Sequence, residues 1–487
     1  MPLEDILLKA IRSEAKKLID RYHSYHNWLH QEIIRKRLRT TATISKNVQT
    51  LPQWDSSPLF NPFYVHKHAK PIAKSIAKKI ITRTYIPNSP LLVTIPKTTG
   101  GTRSVSVFQV PDAAISTLFF TYLMKKNRHR FSAFTYAYRN DKNAHFAVQD
   151  IYSDIEKKHR MFIAEYDFSK FFDSINHEYL IKELFENNFF ISDTELFIIR
   201  SFLDATGKNK GIPQGTSISL FLANVACFSL DKAFENEGLK FARYADDTIV
   251  WAKSYEKICN AANILFDFAA KSKIDINLEK SEGISLLVPN TRETQEIYRI
   301  KEYFDYLGYS ISTNNVGIKK SSEDKIKKQI SYIIYSNLIQ PLKKGTIASF
   351  PQRKFKDRDV LVCLQQIRRY LYGNISESLI RKFMFGGIVS LKFKGIMSYY
   401  PLVTDEQQIK HIDGWLAHTV MRALKMRYRL LTRRRIQFSY SSVQDFLDDY
   451  ANYGNGIYKV PSLMTIHKAI QKGIRNSGLN FNDSYSY

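Results

Sequence analysis

Apolar side chains recur at helical spacing in the N-terminal part of the chain and gather into short runs in its middle. Residues 1–50 place apolar positions one turn apart among many basic ones, which predicts basic amphipathic helix. A connector with several X-Pro pairs follows over 51–62. The same helical spacing predicts further helices over 70–81, 112–128, 143–158, 177–187, 193–204, 217–234 and 255–272.

Short apolar runs bounded by turn residues predict strands. Two such runs flank the Thr-Thr-Gly-Gly segment 98–101 and predict a β-hairpin over 92–108. Further strands are predicted over 161–167, 239–243, 248–252, 284–288 and 306–311. From about residue 320 onward the pattern is mainly helical, so the predicted fold class is α+β.

The charge of the chain narrows the class of partner. Its 487 residues include 72 Lys and Arg against 46 Asp and Glu, a formal net charge of +26. The hydrophobic share of 44% is ordinary for a folded protein and excludes bulk disorder. Residues 321–440 alone carry 23 Lys and Arg against 8 Asp and Glu. Nucleic acid is therefore favoured over an anionic membrane as the partner.

Cysteine spacing and hydropathy indicate the cellular compartment in which the protein is expected to fold. Cys227, Cys259 and Cys363 lie far apart and form no CxxC pair, which argues against a disulfide framework or a cysteine-based zinc site. This usage suits a reducing cytosol. The first residues do not have the pattern of a signal peptide, and no uncharged apolar stretch of about 18 residues predicts a membrane span.

Three aspartates stand where predicted strands end. Asp246 and Asp247 are adjacent between two strands, and Asp167 ends the apolar strand 161–167. Two adjacent aspartates alone are most often a solvated turn. Carboxylates are, however, hard oxygen ligands that suit Mg²⁺. When they come from different strands, they can hold two Mg²⁺ ions about 3.5–4 Å apart for nucleotidyl transfer.

Three segments give the chain a resemblance to reverse transcriptases. The Tyr-Ala-Asp-Asp run at 244–247 resembles the YxDD box of that family, and 166–173 resembles its first catalytic-aspartate motif. The Gly-Ile-Pro-Gln-Gly run at 211–215 is similar to its Pro-Gln-Gly motif. The three segments occur in the family's order and with family-like spacing, which makes the combination far more specific than any one of them.

The resemblance implies the residues of an active site. It makes Asp167, Asp246 and Asp247 the catalytic residues, which would bind two Mg²⁺ ions together with the backbone carbonyl of Phe168. Phe172 stands at the family's sugar-gate position and implies deoxynucleotide substrates, although only one of Phe171 and Phe172 can face the pocket. The residues that the resemblance assigns to the incoming nucleotide are Lys97, Arg103, Phe172 and Gln214. Those that it assigns to template and primer are Arg139, Tyr244, Lys280 and Gly308.

The resemblance also implies a right-hand polymerase with fingers, a palm built on an antiparallel sheet, and a helical thumb. Residues 393–400 and 411–416 resemble the thumb of group II intron-type enzymes. The predicted organisation is a basic helical N-terminal extension at 1–60, fingers and palm with the primer grip at 61–320, a basic helical thumb at 321–440, and a C-terminal extension and tail at 441–487.

The biological role is the least constrained prediction. Segments 66–70, 164–168 and 217–224 resemble domesticated bacterial reverse transcriptases of antiphage defence. That resemblance implies a dedicated noncoding RNA template, dNTP substrates, a DNA product, a cytoplasmic location and, in some members, oligomers. A retron-type or group II intron enzyme, an RNA polymerase and a catalytically silent RNA-binding scaffold stay open as alternatives. Tyr485 and Tyr487 offer hydroxyls that could prime synthesis, but a polar disordered end is the plainer interpretation of this tail.

Overall fold

Helices form both ends of the chain, and sheets occupy its middle. A computed structural model describes residues 2–37, 50–96, 101–205, 207–290, 297, 299–345, 352–353, 356–436, 442, 444–445 and 459–480. The predicted α+β class is confirmed, and the arrangement is that of a right-hand polymerase.

A long N-terminal helix supports the fingers. The helices of this part are α1 (Leu3–Arg37), α2 (Gln53–Ser56), α3 (Pro62–Lys67), α4 (Ala69–Ile81), α5 (Val110–Asn127) and α6 (Ala144–Ile155), with a 3₁₀ turn at Pro58–Phe60. Helix α1 packs on α3, α4 and α5, and it buries Leu7, Ile11 and Ala15 there. The predicted hairpin consists of β1 (Leu91–Pro96) and β2 (Thr102–Val107), which pair antiparallel.

The palm is a five-stranded sheet with β3 at its centre. Its strands are β3 (Met161–Tyr166), β4 (Lys240–Tyr244), β5 (Asp247–Ala252), β6 (Gly283–Leu287) and β7 (Ile300–Lys301), in the order β4-β5-β3-β6-β7. β3 pairs antiparallel with both β5 and β6. Alternation along β3 places Phe162 and Ala164 in one hydrophobic core and Met161 and Ile163 in another, so both faces of the sheet are covered.

Helices cover the first face of the palm sheet. They are α7 (Phe171–Ser174), α8 (His177–Glu186), α9 (Asp193–Asp204), α10 (Ser217–Ala226), α11 (Phe228–Asn236) and α12 (Tyr255–Ser272). The single helix predicted over 217–234 is broken at Cys227, where the backbone leaves helical geometry with ψ near 9°. Ser217–Asn236 is apolar and long enough to cross a membrane although it includes Asp231 and Lys232; 72% of its apolar 18-residue window is buried inside the protein, as in a core helix.

A second sheet and the thumb cover the other face. The sheet consists of β8 (Tyr303–Tyr306), β9 (Tyr309–Ser312) and β10 (Val316–Ile318), so the strand predicted over 306–311 is a hairpin that turns at Leu307 and Gly308. The elements of the predicted thumb are α13 (Lys320–Ile334), a π-helical turn at Tyr335–Ile339, α14 (Gln340–Lys343), β11 (Gln352–Arg353), β12 (Lys356–Asp357), α15 (Arg358–Tyr372), α16 (Glu377–Met384) and α17 (Glu406–Arg433). Helix α18 (Leu463–Ser477) lies in the predicted C-terminal extension and packs against α17. Further 3₁₀ turns lie at Ile396–Tyr399 and Gly478–Asn480.

Candidate active site

The three predicted catalytic aspartates converge at one edge of the palm. Tyr166 of β3 lies opposite Thr248 of β5, so the next residue, Asp167, emerges across from Asp247. The β4–β5 turn carries Asp246 and Asp247, and Ala245 in this turn has a φ of +62°. A tight turn and a strand end thus bring together carboxylates that are about 80 residues apart in the sequence.

The convergence concentrates negative charge. Loss of solvation at the base of the cleft, and then the charges of Asp246 and Asp167, raise the pKa of Asp247 to about 7. Loss of solvation and the charge of Asp167 also raise the pKa of Asp246, against the opposing effects of Arg103 and Lys280. The side chain of Asp247 still reaches solvent, so a hydrated cation has access to it.

A fourth carboxylate on the same strand is already neutralised. Glu165 accepts a hydrogen bond from Lys301 Nζ at 2.5 Å, and Lys301 also pairs with Glu282. No residue pattern in the sequence pointed to this network, because its members come from β3, β7 and the loop before β6. Lys301 is thus shared between Glu165 and Glu282, and the other acidic side chains of the site are the three aspartates.

Two basic side chains face this charge. Lys280 Nζ lies 3.3 Å from Asp167 Oδ2, and its side chain is largely exposed. Its loop is fixed because the Asn277 N–H donates to the Asp167 carbonyl at 2.8 Å and the Asp167 N–H donates to Ser281 Oγ at 3.0 Å. Arg103 of β2 lies close enough for its charge to lower the pKa of Asp246. Both residues are thus placed at the carboxylates, where a triphosphate would need cations.

The structure distinguishes between the two neighbouring phenylalanines. Phe171 is buried and stacks on Phe168, with ring centroids 5.7 Å apart. Phe172 is only partly buried and meets Tyr138 edge to face at 6.5 Å. Phe171 is therefore a core residue, whereas Phe172 is the partly exposed member of the pair. Phe168 and Ile276 lie opposite each other in an antiparallel bridge whose hydrogen bonds are made by the residues on either side, from the Ser169 N–H and the Asn277 N–H. In such a pair the carbonyl of Phe168 points away from Ile276.

The Pro-Gln-Gly loop is joined to the fingers hairpin. The Ser106 N–H of β2 donates to the Gln214 carbonyl at 2.6 Å. Gly215 has a φ of +111°, and a Cβ there would lie 2.6 Å from the Ser106 carbonyl oxygen. Only glycine allows this approach, so the loop that carries Gln214 and the strand that carries Arg103 are held as one unit.

The primer-grip hairpin is linked to the aspartate turn. The Tyr306 hydroxyl is buried and donates to the carbonyls of Ala242 at 3.1 Å and Asp247 at 3.4 Å. Leu307 and Gly308 both have positive φ in the two-residue turn that follows, which fits the tight hairpin predicted around Gly308. Tyr244 ends β4 opposite Asp247, on the side of the sheet that carries this hairpin.

Arg139 does not face an open groove. Its guanidinium donates twice to Asp141, at 3.0 and 2.8 Å, and once to the Ser132 carbonyl at 2.9 Å. Its side chain is only 6% exposed, which favours a structural role over contact with template or primer. Lys97, Tyr485 and Tyr487, which the sequence singled out, lie outside the described residues.

A buried arginine positions the aspartate turn. Arg243 is fully buried in β4 and donates to both carboxylate oxygens of Asp231, at 2.7 and 2.6 Å. It also donates to the Ala245 carbonyl at 3.0 Å, inside the turn itself. Sequence reasoning missed this residue; the one available signal was a charged side chain inside an apolar strand next to the aspartates.

The donor set suits a hard divalent cation. In the part of the chain that the structure describes, no group of three His, Cys, Asp or Glu side chains is arranged to hold a metal ion by itself. Mg²⁺ usually takes one or two carboxylates and completes its shell with water and substrate phosphates. Asp167, Asp246 and Asp247 offer oxygen ligands of the kind that such an ion takes.

The palm sheet carries the three aspartates at one edge, as the sequence motifs predict. Residues 95–311 match the family described as reverse transcriptase (RNA-dependent DNA polymerase). The three motifs that resemble this family lie within the matched residues.

Known relatives cover parts of the chain. The retron Ec86 reverse transcriptase of Escherichia coli is 29% identical over 126 residues, which cover 25% of this chain and 35% of that protein. Apo telomerase from Candida tropicalis has a TM-score of 0.38 at 12% identity, covering 82% of this chain and 73% of its own. Candida albicans telomerase with a fragment of telomeric RNA has a TM-score of 0.36 at 14% identity, covering 81% and 68%.

Proposed function

We propose that this protein is an RNA-directed DNA polymerase. The observation that carries the proposal is the convergence of Asp167 with Asp246 and Asp247 at the solvent-open edge of the palm, under the fingers hairpin. Such a centre suits the transfer of a nucleotide to a primer hydroxyl, because the carboxylates come from separate strands and can together hold divalent metal ions.

The residues of the site would have separate roles in this reaction. Asp167, Asp246 and Asp247 would hold two Mg²⁺ ions, with the Phe168 carbonyl as a further ligand. When bound, the ions supply charge stabilisation at the attacking and leaving oxygens. Arg103 and Lys280 place positive charge beside the carboxylates, where the triphosphate binds.

A primer-extension assay tests this proposal. The purified protein is given a primed RNA template, dNTPs and Mg²⁺, and elongation to the end of the template is expected. Omission of Mg²⁺ should stop it. Binding of the primed template without any extension, across several templates and divalent metals, would favour the RNA-binding scaffold instead.

The partly buried position of Phe172 leads to a prediction about sugar selection. Phe172→Ala is expected to reduce discrimination against ribonucleotides by about 10- to 100-fold, because a bulky ring no longer excludes the 2′-hydroxyl. Single-nucleotide incorporation with dNTP and rNTP measures the ratio. Phe171→Leu is the matched control: it should lower stability and leave the ratio near the wild-type value, since Phe171 lies in the core. Equal rNTP use by wild type and Phe172→Ala would contradict the assignment.

The raised pKa of Asp247 leads to a prediction about pH. Its folded-state pKa is about 7, above its ordinary value of 3.8. The metal-free protein therefore loses stability from this group as pH rises from about 4 through 7, since the charged form is unfavourable there. Mg²⁺ binds the charged form, so Mg²⁺ should raise the melting temperature more at pH 8 than at pH 6. Thermal unfolding with and without Mg²⁺ tests this, and Asp247→Asn should remove the pH dependence.

We further propose that the template is a dedicated structured noncoding RNA and that the cDNA acts in antiphage defence in a bacterial cytoplasm. The segments that resemble defence-associated enzymes and the charge of +26 support this role. The retron enzyme among the relatives supports a retron-type role as the second candidate. Sequencing of nucleic acid that copurifies with the protein, expressed with its native flanking DNA, tests the proposal. One defined RNA with complementary DNA is expected; heterogeneous RNA without DNA would contradict it.

A further inference from the structure

Aromatic side chains gather on one exposed surface of the N-terminal helices, away from the aspartates. Tyr22 of α1 contacts Trp54 of α2 and Phe63 of α3, with ring centroids 5.2 and 5.5 Å apart. One turn further along α1, Tyr25 and Trp28 lie 6.1 Å apart and are 49% and 50% exposed. We call these five residues the aromatic platform. Tyr25 and Trp28 of α1 and Phe63 of α3 are the exposed members, and neighbouring exposed rings are unusual for a surface that meets only water.

A row of lysines continues from this platform. Phe63 and Lys67 stand one helical turn apart on α3, and Lys70, Lys74 and Lys78 stand one turn apart on α4, which begins after a break at His68. All four lysines are exposed. We call these four residues the lysine row. A neighbouring side of α4 is buried through Ala73 and Ala77 in the core that α4 shares with α1, whereas the lysines of the row are exposed.

The surrounding sequence leaves this charge uncompensated. Residues 56–111, which include α3, α4 and the fingers hairpin, contain eight Lys and Arg and no Asp or Glu. None of the four lysines of the row forms an ion pair among the described residues. A surface that leads from stacked rings to a row of cations is complementary to a ligand with both flat bases and phosphates.

We propose that the aromatic platform and the lysine row form a binding surface for single-stranded RNA, outside the catalytic cleft. Bases stack on Tyr25, Trp28 and Phe63, and the phosphates that follow lie along Lys67, Lys70, Lys74 and Lys78. The choice of RNA among nucleic acids rests on the proposed function, in which RNA is the template. The surface would hold an unpaired part of that RNA on the outer side of the fingers.

RNA accounts for both halves of the surface better than the other occupants. An anionic membrane would engage the lysines, but an interfacial helix inserts a continuous apolar face, whereas the exposed positions next to Tyr25 and Trp28 on α1 are the polar Ser24 and Asn27. A second copy of this chain would bring a net charge of +26 against the exposed lysines of the row. Charge complementarity therefore favours a polyanion with aromatic bases.

Equilibrium binding of a fluorescent single-stranded RNA, measured without dNTPs or metal, tests the proposal independently of synthesis. Tyr25→Ala/Trp28→Ala is expected to weaken binding about 10-fold or more, through lost stacking. Lys70→Gln/Lys74→Gln/Lys78→Gln should weaken binding and reduce the slope of log affinity against log salt by about 2. When the same RNA is annealed to its complement, Tyr25→Ala/Trp28→Ala should change its affinity little, because paired bases cannot stack on the rings.

Matched variants separate this surface from general effects. Tyr25→Phe/Trp28→Phe should restore binding, because the rings remain. Phe185→Ala removes an equally exposed ring on α8, and Lys257→Gln/Lys271→Gln/Lys273→Gln removes the same charge at α12; both should bind RNA like the wild type. Extension of a primed template with a short overhang should also be unchanged in the platform variant. If the wild-type protein does not extend the primer but the platform and lysine variants still bind RNA more weakly, the proposed polymerase function is wrong and the proposed RNA-binding surface is supported.

Three results would overturn the proposal. The first is wild-type RNA affinity in both the platform and the lysine variants. The second is a change in oligomeric state, by light scattering, with unchanged RNA affinity, which would make the surface a contact between copies. The third is loss of binding to phosphatidylserine-containing vesicles with unchanged RNA affinity, which would assign it to a membrane.

Discussion

Replacing Asp246 and Asp247 together by alanine is expected to lower DNA synthesis by at least about 10³-fold while RNA affinity stays near the wild-type value. The two residues supply most of the carboxylate donors at the palm edge, and a metal centre contributes several kcal/mol to the transition state, with tenfold in rate for each ~1.4 kcal/mol. RNA binding depends on basic and aromatic surfaces away from the turn, so it should persist.

Primer extension measures the rate, and binding of labelled RNA measures the affinity. The folded state should gain stability in the absence of Mg²⁺, because the removed carboxylates repel each other and Asp167. Asp267→Ala, an exposed aspartate on α12, is the matched control and should synthesise DNA like the wild type. Synthesis at the wild-type rate by the double variant would refute the assignment of the catalytic centre.

Arg243→Met should destabilise the protein by about 3–5 kcal/mol, because it leaves the Asp231 carboxylate buried without its partner. The same substitution removes the donor to the Ala245 carbonyl in the aspartate turn. Denaturant unfolding gives the free energy. The Mg²⁺ concentration for half-maximal synthesis should also rise, since the turn that carries two of the ligands is no longer fixed.

A second substitution separates stability from turn geometry. Arg243→Met/Asp231→Leu should recover much of the lost stability, because an apolar pair replaces an orphaned charge, but it should keep the raised Mg²⁺ requirement. Arg427→Met is the matched control. Arg427 is fully buried with Asp357 and Asp359 in the thumb, so its loss should cost similar stability without changing the Mg²⁺ requirement. Full recovery of both properties in the double variant would show that the turn does not need Arg243.

Much of the local structure and of the chemistry could be predicted from the sequence. Period-two and helical patterns act over a few residues, so the hairpin of β1 and β2, the strand before Asp167 and the helices α8, α9 and α12 are found within a residue or two of their predicted ends. The adjacency of Asp246 and Asp247 is covalent, and the turn between two predicted strands placed them at a sheet edge. These features depend on neighbours in the chain, which the sequence displays directly.

Other features depended on residues that are distant in the sequence. The burial of Phe171 rather than Phe172 is decided by Phe168 and the palm core, which the two identical side chains do not reveal. Arg139, predicted at the template, is held by Asp141 and Ser132, whereas Lys280 lies against Asp167. An ion pair or a buried face forms only when the fold brings its two members together, and that choice is made by the packed core as a whole.

The sequence by itself therefore determined the chemical class of the site: three carboxylates at strand ends, a glycine-bearing loop and a strong excess of positive charge. Only the tertiary structure decided how that site is held, through Arg243 beneath the aspartate turn and Tyr306 from the neighbouring hairpin, and where exposed rings and lysines lie together on α1, α3 and α4. The physical reason is that the reactive groups of a sequence motif belong to residues that are close together in the sequence. Positioning and surface complementarity arise from contacts between segments that only folding brings within reach.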